Sequence, residues 1–164
     1  MKKCVCFLLM ILLLTGCAAQ ETFETIADEM ALPAMARPGN ISVQLPGETA
    51  LPVFENDNGR VYVCNDYEIV IQTLDSGDLE KTMQQVSGLG RDDLTVMETF
   101  SDGVSRYEFV WAAAGESGEQ VGRGVVLDDG SYHYCMSVLR DAKKNEKSQI
   151  NWDQVFSSFC VVSY

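Results

Sequence analysis

Cys17 is the residue whose surroundings most directly indicate a chemical role. It follows a leader that begins with Lys2 and Lys3 and continues as an apolar run over 4–14. A positively charged start followed by an apolar stretch of this length is typical of a secretory signal peptide. A membrane-spanning helix needs about 20 apolar residues, so the run is too short for a lasting anchor. The leader is therefore expected to be removed, which leaves the Cys17 thiol as the group available for anchoring.

The stretch Leu14-Thr15-Gly16-Cys17 resembles the lipobox of bacterial lipoproteins, in which a branched residue and a small pair precede a cysteine. The resemblance implies diacylglyceryl transfer to the Cys17 sulfur and cleavage just before it, with 1–16 as the signal peptide. Acyl chains contribute roughly 0.8 kcal/mol per buried CH₂, and two chains anchor a protein stably. We expect a protein lipid-anchored to the cell membrane on its extracytoplasmic face. The alternative is an ordinary signal peptide cleaved near Ala18 or Ala19.

The chain is strongly acidic, with 24 acidic and 12 basic residues and a net charge of −12. Loss of Lys2 and Lys3 with the leader makes the mature chain two charges more negative. Because nucleic acids bind proteins mainly through neutralisation of their phosphates, we expect no nucleic-acid partner. An acidic surface also repels anionic headgroups, so the acylated Cys17 is the expected contact with the lipid bilayer.

Three further cysteines, Cys64, Cys135 and Cys160, belong to the mature chain. In an oxidising compartment one disulfide with one thiol left over is possible in any of three pairings, of which Cys135–Cys160 is favoured. Three buried thiols are equally compatible with the sequence, because a free cysteine packs as a small apolar residue. No two of them have the C-x-x-C spacing of a zinc or thioredoxin-type site, so we expect no metal and no cofactor.

The single histidine, His133, lies between Tyr132 and Tyr134 in an expected strand, with no cysteine or carboxylate predicted beside it. A lone histidine of this kind is expected to be structural. The chain contains no G-x-S-x-G, S-x-x-K, H-E-x-x-H, phosphate-binding or dinucleotide-binding motif. The sequence therefore favours a protein that is not an enzyme and has no catalytic residues.

Apolar patterning from Ile41 onward predicts the elements that position these residues. Alternating or consecutive apolar residues and the turns between them predict strands over 41–45, 51–55, 60–64, 67–74, 94–99, 105–112, 120–127 and 131–139, with turns at Asn58-Gly59, Asp102-Gly103 and Asp129-Gly130. Asp78 is expected to begin a helix that Gly88 ends. Asn151 is expected to cap a closing helix with Trp152, Val155, Phe156 and Phe159 on one apolar stripe.

These elements predict one α+β domain over 41–164, a curved antiparallel β-sheet of meander hairpins packed by an internal helix and a C-terminal helix. Residues 17–40 are expected to form the lipidated N-terminus and a flexible tether that reaches roughly 75 Å when fully extended. The element order and the closing aromatic helix resemble the PsbP-like fold. That fold is shared by extrinsic photosystem II subunits, a nuclear-transport cofactor and several bacterial lipoproteins. The resemblance implies binding or assembly roles.

Three functional hypotheses follow from the sequence. The first is a membrane-tethered, non-catalytic lipoprotein that binds or assembles with an unknown envelope protein. The second is capture of a small ligand in a cleft between sheet and helix, lined by Tyr107, Trp111 or Tyr134. The third is an enzyme whose site carries no familiar motif. That enzyme would need clustered carboxylates, or His133 beside a nucleophile, in one pocket.

Overall fold

The structure is a computed structural model that describes residues 37–47, 49, 51–115, 118–145 and 150–162. Cys17 and residues 1–36 lie outside this range, so the lipid attachment and the domain boundaries stay predictions. Within the range, no helix is long and apolar enough to cross a membrane. The strands are β1 (Asn40–Ser42), β2 (Phe54–Asn56), β3 (Gly59–Val63), β4 (Tyr67–Asp75), β5 (Thr95–Ser101), β6 (Val104–Gly115), β7 (Gly118–Asp128), β8 (Tyr132–Asp141) and β9 (Cys160–Val162). The helices are α1 (Leu79–Ser87), α2 (Ala142–Asn145) and α3 (Trp152–Ser158), with a 3₁₀ turn at Arg91–Asp93.

Seven strands form one antiparallel sheet in the order β2-β3-β4-β8-β7-β6-β5, which leaves β2 and β5 as its edges. Two runs of hairpins meet in the middle, where β4 pairs with β8 from Tyr67 opposite Arg140 to Asp75 opposite Tyr132. The remaining strands, β1 and β9, pair with each other in a two-stranded ribbon. The predicted α+β fold, an antiparallel sheet packed by an internal and a C-terminal helix, is confirmed.

Each face of the sheet carries its own core because side chains alternate along a strand. On the α3 face, the closing helix and the ribbon pack on the central strands; its fully buried residues include Ile69, Val125, Tyr134, Met136, Val138, Phe156 and Phe159. On the opposite α1 face, Met83 packs on Phe109, Trp111, Val126 and Cys135. Full burial of one such large apolar side chain contributes about 1.5–3 kcal/mol. The apolar stripes predicted from the sequence therefore hold α1 and α3 on opposite faces of the sheet.

Both longer helices begin at their predicted caps. Asp78 accepts hydrogen bonds from the backbone N–H groups of Glu80 and Lys81. Asn151 accepts one from the N–H of Gln154 at 3.2 Å. Each cap satisfies N–H groups that a helix leaves unpaired at its start and contributes about 1 kcal/mol. The helix α1 ends at Gly88, whose φ of 77° is a left-handed conformation that glycine adopts without steric cost.

The hairpin turns match the predictions with one exception. Asp102 and Gly103 have φ values of 53° and 82°, as a two-residue type I′ turn requires. The first hairpin instead turns at Asp57-Asn58, because β2 and β3 pair Asn56 with Gly59. Glycine is needed at position 59 for space, since a Cβ there would lie 2.7 Å from the carbonyl oxygen of the neighbouring strand.

Candidate functional site

The three cysteines in the described part of the chain are all free, so the favoured Cys135–Cys160 disulfide is not formed. The two thiols belong to different layers of the domain. Cys135 is buried in the α1-face core, whereas Cys160 is exposed on β9, in the ribbon that packs on the α3 face. Burial raises the pKa of the Cys135 thiol to about 12, which keeps it protonated and unreactive.

His133 does have a carboxylate beside it, contrary to expectation. Its Nε2 lies 3.6 Å from an oxygen of Asp128, its cross-strand partner on β7. Its Nδ1 lies 2.8 Å from the hydroxyl of Thr82 on α1. These are the residue types of a nucleophilic triad, but both the hydroxyl and the imidazole are buried between helix and sheet. The arrangement joins α1 to β8 through two buried side chains.

The aromatic rings expected to line a cleft lie on opposite faces of the sheet. Trp111 is buried on the α1 face and stacks on Phe109 with 5.8 Å between ring centroids, and Tyr107 packs against the same core. Tyr134 is buried on the α3 face. The cleft described next is lined by other residues, so a cleft over any of these three rings stays a prediction.

The cleft lies on the α3 face, between the ribbon strand β1 and the first hairpin. It encloses about 640 Å³ and is open to solvent. Residues 38–43 and Leu45 form one wall, and the turn 56–60 forms the other. The sheet contributes Tyr62, Ile71, Gln72 and Thr73, of which Tyr62 and Ile71 are buried at the base. The walls are therefore segments that come together only through the fold.

Uncharged hydrogen-bonding side chains dominate the rim of the cleft. Asn40, Ser42, Asn56 and Asn58 are all exposed there, and an amide offers both donors and an acceptor. The Nε of Arg60 is paired with Glu55 at 2.7 Å, and this hydrogen bond and the charge of Glu55 raise the pKa of Arg60. With its cation already paired, the cleft suits an uncharged polar ligand that also has an apolar side.

Tyr134 holds the start of β1 in place beside the sheet. Its hydroxyl accepts a hydrogen bond from the N–H of Gly39 and donates one to Asp129, both at 2.8 Å. Asp129 also accepts from the backbone N–H groups of Ser131 and Tyr132, and although burial opposes its ionisation, these bonds lower its pKa. The β7–β8 turn and the first residues of the domain therefore form one connected unit.

A charged cluster anchors the end of α3, the helix that leads into β9. Arg106 on β6 donates to the carbonyl oxygens of Phe156 and Phe159 at 2.7 Å and 3.0 Å. Its Nε pairs with Glu108 at 2.7 Å. A helix leaves its last carbonyls unpaired and negative, so a guanidinium there is both a cap and a favourable charge. This contact fixes the path of the chain into the ribbon.

Arg123 extends this cluster to the start of α3. It pairs with Glu108 at 2.9 Å and with Asp153 at 2.6 Å, and its guanidinium lies 4.2 Å from the ring centroid of Phe156. Burial opposes ionisation of Glu108, but hydrogen bonds from Arg123 and Arg106 lower its pKa. Sequence reasoning missed the cluster, although Arg106 and Glu108 on one strand face were a signal that charged partners must pack over them.

No protein-family model and no curated protein sequence matches the chain. Among solved structures, the chain is similar to LpqN of Mycobacterium tuberculosis, a protein described as involved in cell envelope biogenesis. The match covers 78% of this chain and 87% of that chain, with a TM-score of 0.50 and 12% sequence identity. At this identity the likeness shows a shared fold, and function depends on the site.

Proposed function

We propose that this chain is a lipid-anchored, extracytoplasmic lipoprotein whose domain is a non-catalytic binding module, with the cleft beside β1 as its partner site. The observation that carries the proposal is the open cleft of about 640 Å³ between β1 and the first hairpin. Its wall begins at Pro38, so the site lies where the tether enters the domain. The partner is a component of the cell envelope held close to the same membrane.

The anchor rests on the lipobox and on the charge of the chain. The predicted signal peptide, 1–16, ends just before Cys17 in the stretch Leu14-Thr15-Gly16-Cys17, and the net charge of −12 opposes adhesion to an anionic membrane. A lipid on Cys17 then holds the domain, and the residues between Cys17 and Pro38 allow it to reach roughly 70 Å from the surface. The similarity to LpqN, described as involved in cell envelope biogenesis, supports an envelope setting.

The lining of the cleft supports binding over catalysis. The described residues that line the cleft include no histidine or cysteine, and Asp57 supplies their one carboxylate. General acid–base chemistry uses groups placed for proton transfer to the same substrate, and a rim of amides and hydroxyls supplies hydrogen bonds instead. A small polar ligand is the second candidate, because the volume falls within the range of about 300–1,000 Å³ for such sites.

Site-specific photo-crosslinking tests the cleft in living cells. A benzophenone amino acid replaces Asn58, exposed on the rim, and in a matched control it replaces Glu98, exposed on β5 at the other edge of the sheet. We expect a reproducible adduct from position 58 that position 98 does not give. The same adducts from both positions would contradict a partner site in the cleft, as would repeated failure to find an adduct or a copurifying small molecule.

A further inference from the structure

We infer that the outer edge of β5 binds an extended, basic peptide segment, which adds to the seven-stranded sheet as a further strand. This surface is separate from the cleft, because β5 and the first hairpin lie at opposite ends of the sheet. The main chain of β5 supplies the hydrogen bonds, and the acidic side chains along the edge select a segment of positive charge.

The edge of β5 presents a row of unpaired main-chain groups. β5 pairs with β6 over all seven of its residues and has no neighbour on its other side among the described strands. Ser101 and Val104 close a two-residue turn and form a hydrogen-bonded pair, and the bonds alternate from there along the strand. The N–H and C=O groups of Val96, Glu98 and Phe100 therefore point away from β6. No residue in the described part of the chain pairs with them.

The same edge is exposed and carries few of the features that block strand addition. Six of the seven residues of β5 are exposed, among them Met97 at 59% and Phe100 at 71%. Natural edge strands are commonly protected by lysines, prolines or bulges. β5 contains no lysine or proline, and its register with β6 is continuous, so it has no bulge. Its one charged residue, Glu98, therefore decides which segments are accepted.

The charges along the edge favour a basic segment. Asp92 and Asp93 lie just before β5, Glu98 lies in its middle and Asp102 lies just after it, all exposed. None of these four carboxylates forms an ion pair with a residue that the structure describes. The basic residue of this stretch is Arg91, and the chain as a whole has a net charge of −12. Basic side chains on an incoming strand are therefore attracted along the whole edge.

The side chains of β5 indicate the pattern of the segment. Val96, Glu98 and Phe100 alternate with their neighbours and so lie on one side of the strand. The matching segment places a basic residue opposite Glu98 and apolar residues two positions away on either side. A second copy of the chain is a poorer match, because full-length pairing of two β5 strands sets Glu98 opposite Glu98, and like charges in that position destabilise a strand pair.

A designed nonapeptide, KTVTKTVTK, tests the edge. In an extended chain its lysines and valines lie on one side, so the central lysine can face Glu98 and the valines can face Val96 and Phe100. Binding is measured on the mature chain, purified from membranes in an uncharged detergent. We expect slower amide hydrogen exchange at residues 96, 98 and 100, and an affinity about tenfold or more lower for the control peptide ETVTETVTE. No binding, or equal affinity for both peptides, would overturn the inference.

Backbone N-methylation tests the main-chain role. With the central lysine opposite Glu98, the valine N–H groups point to β5, and the N–H groups of the threonines beside that lysine point away. Methylation of both valines removes two main-chain hydrogen bonds, so we expect affinity to fall by about tenfold or more. Methylation of the two threonines is the matched control, for which we expect little change. Equal affinities of the two methylated peptides would overturn strand addition.

Two variants at position 98 locate the bound peptide. Glu98→Pro removes an outward N–H and leaves the bonds between β5 and β6 intact, since proline is tolerated where an edge N–H faces solvent. Glu98→Gln keeps that N–H and removes the charge. We expect KTVTKTVTK to lose about tenfold or more in affinity for the first variant and about twofold to fivefold for the second. Wild-type affinity for Glu98→Pro would overturn the assignment to β5, and the methylated peptides keep the inference testable if that variant does not fold.

Sedimentation of the chain alone tests a second copy as the occupant. Self-association that Glu98→Gln strengthens, with no binding of KTVTKTVTK, would overturn the inference in favour of pairing between copies. In cells, we expect any adduct from position 98 to contain a component with a basic segment, different from the adduct of position 58. Failure of the peptide at β5 leaves the cleft adduct unchanged, so it is distinguishable from failure of the proposed function.

Discussion

Tyr134 connects parts of the chain that are far apart in sequence through a single buried hydroxyl. Gly39, which donates to it, lies 95 positions away, and Asp129, which accepts from it, lies in the adjacent turn. A buried polar group that loses its partner costs about 1–3 kcal/mol. Tyr134 therefore helps to hold the cleft wall, whose strand β1 also pairs with β9.

The change Tyr134→Phe leaves the N–H of Gly39 and a carboxylate oxygen of Asp129 without this partner. We expect the free energy of unfolding to fall by about 1–3 kcal/mol, measured by urea denaturation. Tyr107→Phe is the matched control, because its half-buried hydroxyl makes no hydrogen bond within the described part of the chain. Equal effects of the two changes would contradict the role given to Tyr134.

The same residue gives the domain a sensitivity to alkaline pH. Burial, together with the hydrogen bond to the Asp129 carboxylate, raises the pKa of Tyr134 from 10.0 to about 12. Because the folded-state pKa exceeds the unfolded one, this stabilisation is complete below pH 10 and is lost as the pH rises to about 12. We expect the stability difference between the wild type and Tyr134→Phe to narrow over that interval. A stability difference that stays constant over this pH interval would contradict the raised pKa of Tyr134.

At the scale of elements, α3 and the ribbon depend on the charged cluster beneath them. Arg106 is only 20% exposed and has three partners: Glu108 and two carbonyls at the end of α3. Hydrogen bonds to charged groups contribute about 1.5–3 kcal/mol, whereas exposed ion pairs contribute about 0–1 kcal/mol. The cluster is therefore the polar contact that most strongly fixes α3 on the sheet.

Replacement of Arg106 by Met keeps the apolar stem and removes the guanidinium. We expect the free energy of unfolding to fall by about 2–3 kcal/mol, with faster hydrogen exchange in α3. Arg60→Met is the matched control, because Arg60 and its partner Glu55 are both more than half exposed, at 56% and 53%. If Arg106→Met lowers the free energy of unfolding by no more than Arg60→Met does, the stabilising role given to the charged cluster is contradicted.

The elements themselves were largely predictable because their signals are local. Asp78, Asn151 and the Asp102-Gly103 turn act on backbone groups within a few residues, and the apolar stripes have the helical or strand period. The first hairpin was displaced by one residue because Gly59 serves close approach to β4 and not positive φ. The local sequence of a turn cannot show whether its glycine is required for close approach of a neighbouring strand or for a positive φ.

Features that depend on pairing between distant segments were not predictable. The approach of Asp128 to His133 depends on the register of β7 and β8, and the placement of Cys135 and Cys160 in different layers depends on the ribbon. The cleft brings residues 38–43 and Leu45 beside residues 56–60 and β4, and no local pattern encodes that proximity. Tyr107, Trp111 and Tyr134 were proposed as cleft residues because they are large and aromatic, but in the structure they pack in the two cores.

At the scale of the whole molecule, the proposed account assigns membrane anchoring to the N-terminal segment and partner binding to the domain. In the proposed account, a lipid on Cys17 holds the chain at the membrane, and the described domain presents a cleft whose wall begins at Pro38. A fixed anchor and a partner in the same envelope raise the local concentration of each for the other, as in any tethered interaction. Modest affinity in the cleft is then enough for binding.

The most direct test of the central claim is metabolic labelling with an alkyne fatty acid, followed by membrane fractionation. It compares the wild type with Cys17→Ala and, as a matched control, Cys64→Ala, which removes a thiol outside the lipobox. We expect the wild type and Cys64→Ala to be labelled and membrane-bound. We expect Cys17→Ala to be unlabelled and released, with the cleft adduct at position 58 reduced. Unchanged membrane association of Cys17→Ala would contradict the account.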